Sequence, residues 1–187
     1  IVKIVNETKH LSSLGVSFGD LKFDIEKIRS HKNKIISQLN GGISQLAKAR
    51  NVEVLCGEAS FLSNDELLVK TKTEKKQIGF KHCIIAAGSR STMLPNIPQN
   101  NPSILTSRTA LELESIPKSL LIIGGGIIGL ELGQVYSTLG SSVSVVEFMP
   151  SLVPGADNDV AKPLVRKLTQ QFESIMLSSK VTNVEIL

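Results

Sequence analysis

Apolar positions change rhythm along this chain, and each change predicts a different kind of element. Over residues 1–13, Ile1, Ile4, Val5 and Leu11 fall near helical spacing, and Gly15 offers a stop. Asp24 is placed to cap a longer helix from Ile25 to about Arg50. Its Ile25, Ile28, Ile35, Ile36, Leu39, Ile43 and Leu46 approximate one stripe. Gly41-Gly42 interrupts it. Each glycine costs about 1 kcal/mol relative to alanine in a helix, so the pair marks either close approach of another segment or ligand, or a kink.

From residue 52 to 86 the period shortens. Val52–Cys56, Ala59–Leu62, Leu67–Thr71, Gln77–Phe80 and Cys83–Ala86 read as short strands joined by polar turns such as Asn64-Asp65. This is an antiparallel β-meander. Its last apolar run opens into Ala87-Gly88-Ser89, which either exposes backbone to a ligand or simply makes a turn. Residues 90–118 are irregular, with Pro95, Pro98, Pro102 and Pro117. They hold one short helix, Ser107–Leu113, capped by Thr106 or Ser107. Ser115-Ile116-Pro117-Lys118 reads as a boundary between one domain over 1–116 and a second over 117–187.

The second part has another pattern. The apolar run Leu120-Leu121-Ile122-Ile123 leads into Gly124-Gly125-Gly126-Ile127-Ile128-Gly129, then an amphipathic helix to Gly140. A further apolar run, Val143–Val146, closes on Glu147. Met149–Pro154 is a loop, and Asp157 or Asn158 caps a helix to about Phe172. Pro163 is comfortable only in a first turn, so that helix starts near Lys162 or bends. Ile175–Leu177 and Val181–Leu187 read as two more strands. The fold class is α/β: a Rossmann-like dinucleotide-binding unit beside a meander-bearing region.

Strand, G-x-G-x-x-G, helix, strand and terminal acid make a chemical case together that the glycines alone do not. Gly124 permits a tight turn, Gly126 lets a pyrophosphate reach the backbone, and Gly129 lets helix pack on strand. The helix start offers free N–H groups and partial positive charge to that diphosphate. Glu147 follows at about the twenty-residue distance at which a carboxylate accepts from a ribose 2′-hydroxyl. It favours NAD over NADP, because it repels a 2′-phosphate and the next arginine, Arg166, is far down the following helix.

Composition narrows the classes. Hydrophobic residues at 41% and charged residues at 20% are ordinary for a soluble globular chain of 187 residues. The net charge is +4, but basic residues are scattered, and Lys70, Lys72, Lys75 and Lys76 are mixed with Thr and Glu. That disfavours nucleic acid as a partner. No apolar run reaches membrane-spanning length. Cys56 and Cys83 lie in expected strands and form no C-x-x-C or C-x-x-x-x-C, so buried thiols in a reducing, cytoplasmic compartment are expected. The opening Ile1-Val2-Lys3, without an initiator Met, suggests a piece of a longer protein.

Nearly all of the chain resembles the bacterial dihydrolipoyl dehydrogenases, a branch of the class I pyridine nucleotide-disulfide oxidoreductases. The residues carrying the resemblance are Asp24–Arg29, Gln38–Gly42, Ile84–Arg90, Leu94–Pro98 and the run from Gly124 to Gly133. It implies a flavoprotein that oxidises dihydrolipoamide through FAD and a redox disulfide to NAD. It implies a partial FAD-binding domain before Pro117 and the first part of an NAD-binding domain after it. By position, Gly124, Gly125, Gly126, Ile127, Ile128, Gly129 and Glu147 contact NAD, and Val181 lines the adenine side. Ala87, Gly88 and Ser89 match a FAD-contacting turn, and Ala59 a backbone contact with the flavin nucleotide. Glu131 matches an acid where nicotinamide meets flavin; on physical grounds alone it reads as a first-turn carboxylate favoured by the helix dipole. The implied partners are dihydrolipoamide on a lipoyl domain, a 2-oxo-acid dehydrogenase complex core and a second copy of the parent in a homodimer. Ala87 stands where many relatives have Thr, and Ser91 where many have Pro.

The 187 residues contain no second glycine fingerprint and no C-x-x-x-x-C, and His10, His31 and His82 match no family acid/base position. Dithiol oxidation needs a disulfide electron sink and a positioned base. No catalytic residue and no metal ligand is therefore assigned, and the chain alone is expected to be inactive and to hold little or no FAD. Two other readings share these residues: a disulfide reductase of the glutathione or mercuric type, and a non-catalytic remnant that binds a nucleotide.

Overall fold

The structure is a computed structural model describing residues 2–16, 19, 21–94, 97–98 and 101–185. Ile1, Pro95, Asn96, Ile186 and Leu187, all used above, lie outside the described residues. The chain divides into two compact units, Ile1–Arg29 with Ser91–Leu187, and Ser30–Arg90. The expected boundary at Pro117 falls inside the first of these.

In the first unit, helix α1 spans Val2–Ser13, and Gly15 follows it with φ +89°. Asp24 Oδ1 accepts from Lys27 N–H at 3.0 Å, the cap expected for helix α2, Ile25–Ala49. Helix α3, Ser107–Ala110, is capped by Thr106 in a reciprocal box with Thr109. Strands β4 (Ser119–Ile123), β5 (Ser142–Val146) and β6 (Ser174–Met176) form a parallel sheet in that order. Helix α4, Ile127–Leu139, crosses from β4 to β5, and helix α5, Asn158–Gln171, from β5 to β6. Ile123 pairs with Val146, and Val146 with Met176, so the three strands end level beside the glycine turn.

The core lies on one face of that sheet. Val143 and Val145 are buried there with Leu130, Tyr136 and Leu139 of α4 and Leu168 and Phe172. Leu121 and Ile123 point the other way and are exposed. Gly140, at φ +113°, ends α4, and Ser141 Oγ donates to Pro117 O at 2.6 Å, tying the exit of α4 to the entry of β4. Pro163 is inside α5, which starts at Asn158 and not near Lys162. The missing N–H leaves the carbonyl four residues earlier to solvent, at the exposed Asp159.

The second unit holds most of α2 and an antiparallel sheet of β1 (Glu58–Phe61), β2 (Glu66–Lys70) and β3 (Lys75–Gly79). Val69 is buried, and Phe61 meets Phe80 edge-on. Helix α2 runs unbroken through Gly41-Gly42, and a β-carbon on either would meet nothing within 4 Å. Among the described residues no other segment of this chain approaches either glycine closely. Val52–Cys56 and Cys83–Ala86 are not strands, because no strand of the described chain pairs with them. Ile84 and Ile85 are exposed as a result, and so are Cys56 and Cys83, against the expected buried thiols. The strand expected over Val181–Leu187 does not form across its described residues 181–185.

Candidate functional site

The glycine turn after β4 is built by three different demands on its glycines. Gly124 holds φ +107°, a conformation that L side chains rarely adopt. Gly129 packs so closely that a β-carbon on it would lie 2.7 Å from Gly124 O and 3.0 Å from Ile122 Cγ2. Gly126 caps α4 at φ −76°, and a β-carbon there would meet nothing within 4 Å. Open space over that backbone is what a diphosphate needs.

The first intrahelical bond of α4 is Leu130 N–H to Gly126 O at 3.1 Å. Helix geometry therefore leaves the amides of Ile127, Ile128 and Gly129 without an intrahelical acceptor. They and the positive end of the helix dipole lie at the level strand ends, beside the glycine turn. These features fit the diphosphate of a dinucleotide.

Glu147 follows β5 directly and is buried, at 7% exposure. Its Oε2 accepts from Gly125 N–H at 2.5 Å, and its Oε1 from Met149 N–H at 2.6 Å. Both carboxyl oxygens of this buried side chain have backbone partners. The acid thus faces the glycine turn. Its N–H donates to Met176 O at 2.8 Å, and its carbonyl accepts from Ser179 N–H at 2.9 Å. The chain leaving β6 is drawn beside the acid, and half-buried Val181 follows two residues on.

Gly124–Gly129, Glu147 and the approach to Val181 are therefore brought together in one unit. Gly125 is buried and its N–H is engaged by Glu147, so that amide is not a free donor. Glu131 is exposed and is the fifth residue of α4, just past the first turn where it had been expected. Ala59, in β1, and Ala87, Gly88 and Ser89, in an exposed extended segment, belong to the other unit. Gly88 holds φ +72°, and a β-carbon there would meet nothing within 4 Å, so its backbone is uncovered.

Sequence reasoning missed several supports. A β-carbon on Gly133 would lie 2.8 Å from both Ile122 Cδ1 and Phe172 Cζ. Its place four residues after Gly129, on the same helix face, was a usable signal. Leu152 and Val153 had no such signal, being in a loop. Leu152 Cδ2 would lie 2.5 Å from a β-carbon on Gly125, and Val153 N–H donates to Gly125 O at 2.9 Å.

Comparison with known proteins agrees with this architecture. Residues 4–186 match the family model described as pyridine nucleotide-disulphide oxidoreductase. The chain is 45% identical over 185 residues to a dihydrolipoyl dehydrogenase of Vibrio parahaemolyticus, covering 99% of this chain and 39% of that relative. Among solved structures it is similar to the HOCl-induced flavoprotein disulfide reductase RclA of Escherichia coli, at TM-score 0.77 and 26% identity, covering 97% of this chain and 38% of that one. It also shares its fold with LpdA of Mycobacterium tuberculosis, at TM-score 0.84 and 18% identity, covering 97% of this chain and 40% of that one. The chain belongs to the pyridine nucleotide-disulphide oxidoreductase family. Membership implies FAD and a nicotinamide dinucleotide as cofactors. The chain spans about two-fifths of the length of the curated relatives it matches. Among the described residues no helix is long and apolar enough to cross a membrane.

Proposed function

We propose that this chain is part of an NAD-dependent dihydrolipoyl dehydrogenase. The observation that carries the reading is Glu147, buried at the end of β5 and turned onto the glycine turn beside the free amides of α4. Gly124, Gly126, Ile127, Ile128 and Gly129 hold the diphosphate, and Gly125 contributes by shape. Glu147 takes the adenosine ribose, and Val181 lines the adenine side. Glu131 stands where nicotinamide meets flavin. Ala59, Ala87, Gly88 and Ser89 contact FAD, in a partial FAD-binding domain over 1–116 preceding an NAD-binding part over 117–187.

When bound, the two cofactors carry electrons from a dithiol to the nicotinamide ring. The residues of this chain bind and orient. The α4 amides neutralise the diphosphate, and the Glu147 carboxylate disfavours a 2′-phosphate by repulsion. The parent works in the cytoplasm as a homodimer, on dihydrolipoamide carried by a lipoyl domain, within a 2-oxo-acid dehydrogenase complex. The 187 residues alone turn over nothing and hold little FAD. The likeness to RclA favours a second reading, a disulfide reductase for another substrate.

The deciding experiment is steady-state turnover by the full-length protein. Dihydrolipoamide-dependent NADH formation, far faster with NAD than with NADP, is the expected result. Preference for NADPH with glutathione disulfide or mercuric ion as acceptor would overturn it in favour of the second reading.

A further inference from the structure

We propose that Glu147 is a positioning residue for the diphosphate as well as an acceptor for the ribose, its carboxylate bracing the glycine turn from behind. The inference rests on the dinucleotide reading of this crevice.

Gly125 is pinned on every side. Its N–H is held by Glu147 Oε2 at 2.5 Å and its carbonyl by Val153 N–H at 2.9 Å. A β-carbon on Gly125 would lie 2.5 Å from Leu152 Cδ2, so a side chain there would have to push Leu152 aside. Glu147 can act as a fixed strut because its own backbone is bonded to the end of β6 through Met176 O and to the segment leaving it through Ser179 N–H. Its second oxygen is fixed by Met149 N–H. The acid therefore joins the ends of β4 and β5 at the mouth of the crevice.

The consequence is a division of labour among the amides. Gly125 N–H is turned back to the carboxylate and does not serve the diphosphate. The amides after it are left facing the open space over Gly126. A carboxylate has about four acceptor positions, so two N–H bonds leave room for ribose hydroxyls. Bracing and ribose binding use different lone pairs of one group. A substitution at 147 intended to admit NADP removes the brace together with the repulsion.

The test compares wild-type full-length protein with E147Q, using NAD and its 2′,3′-dideoxyadenosine analogue. The analogue lacks every hydroxyl the acid could take on that sugar. A glutamine carboxamide cannot accept from both N–H groups with separate oxygens. E147Q is expected to weaken both ligands by about 10- to 100-fold, the range for a charge-assisted hydrogen bond. A loss confined to NAD overturns the brace and leaves the dinucleotide reading standing. Wild-type protein that binds neither ligand overturns both.

Amide hydrogen exchange separates bracing from general loosening. Gly125 is expected to exchange slowly in ligand-free wild type. In E147Q, Gly125 and Met149 should speed up while Val143 and Val145 of β5 do not. Fast exchange of Gly125 in wild type overturns the proposal even if E147Q fails to fold, and equal acceleration along β5 overturns it as well.

Discussion

A β-carbon on Gly129 would stand 2.7 Å from the carbonyl oxygen of Gly124, so helix and turn touch backbone to backbone. Nothing flexible lies between them to yield. Gly129→Ala should force α4 off the turn and cost about 1–3 kcal/mol, the range for overpacking. Gly133→Ala should cost less, because the atoms it meets are the ends of Ile122 and Phe172 side chains, which can shift. Thermal midpoints of the two variants check the order; equal midpoints would contradict it.

Gly124 and Gly126 separate conformation from contact. Gly124 is at φ +107° in open space, so Gly124→Ala should lose about 1–2 kcal/mol through backbone strain alone. Gly126 is at φ −76°, also in open space. Gly126→Ala should lose less than about 1 kcal/mol, the cap preference of glycine over alanine. Its dinucleotide affinity should nonetheless fall at least as far as that of Gly124→Ala, because the methyl group occupies the diphosphate's space. Melting curves and NAD titrations of the pair decide the matter.

The second part of the chain was legible because local signals agreed. An apolar run, a glycine fingerprint, a helical stripe and a terminal acid all pointed to one strand–helix–strand unit. The inward face of Glu147 followed from its position at a strand end. Its bonds to Gly125 and Met149 did not, since hydrogen-bond partners across a turn leave no period in the sequence. The first part was legible in the meander and the α2 cap, but Val52–Cys56 and Cys83–Ala86 misled. Apolar, β-branched runs state a preference for a strand, whereas a strand exists only when a neighbour completes its ladder. The same reasoning placed both cysteines inside and failed with it.

Tyr136 links α4 to α3 through its hydroxyl, which donates to Ala110 O at 2.8 Å in the core. Tyr136→Phe should cost about 1–1.5 kcal/mol, because the carbonyl is left buried without that partner. Burial raises the phenol above its ordinary pKa of 10.0. The folded state thus holds the proton more tightly than the unfolded state. The corresponding stability is complete below pH 10 and is lost as pH rises toward the folded value. Urea unfolding across that window should show a steeper loss for wild type than for Tyr136→Phe; parallel curves would argue against a buried phenol.

Gly41 and Gly42 lie in the interior of α2 with nothing within 4 Å of either β-carbon position. Neither has a positive φ, and α2 has no buried residue. In this chain they cost helix stability without relieving any crowding. Gly41→Ala with Gly42→Ala should therefore stabilise the 187-residue chain by about 0.5–1 kcal/mol per site, mainly through the entropy of the unfolded state. The readout is a higher thermal midpoint with a stronger far-ultraviolet helix signal. The apolar side chains nearby, Ile35, Ile36, Leu39, Ile43 and Leu46, are exposed, so no packing among the described residues offsets that cost. A lower midpoint in the double variant would show instead that the pair is pressed against this chain's own atoms, contrary to the open space around it.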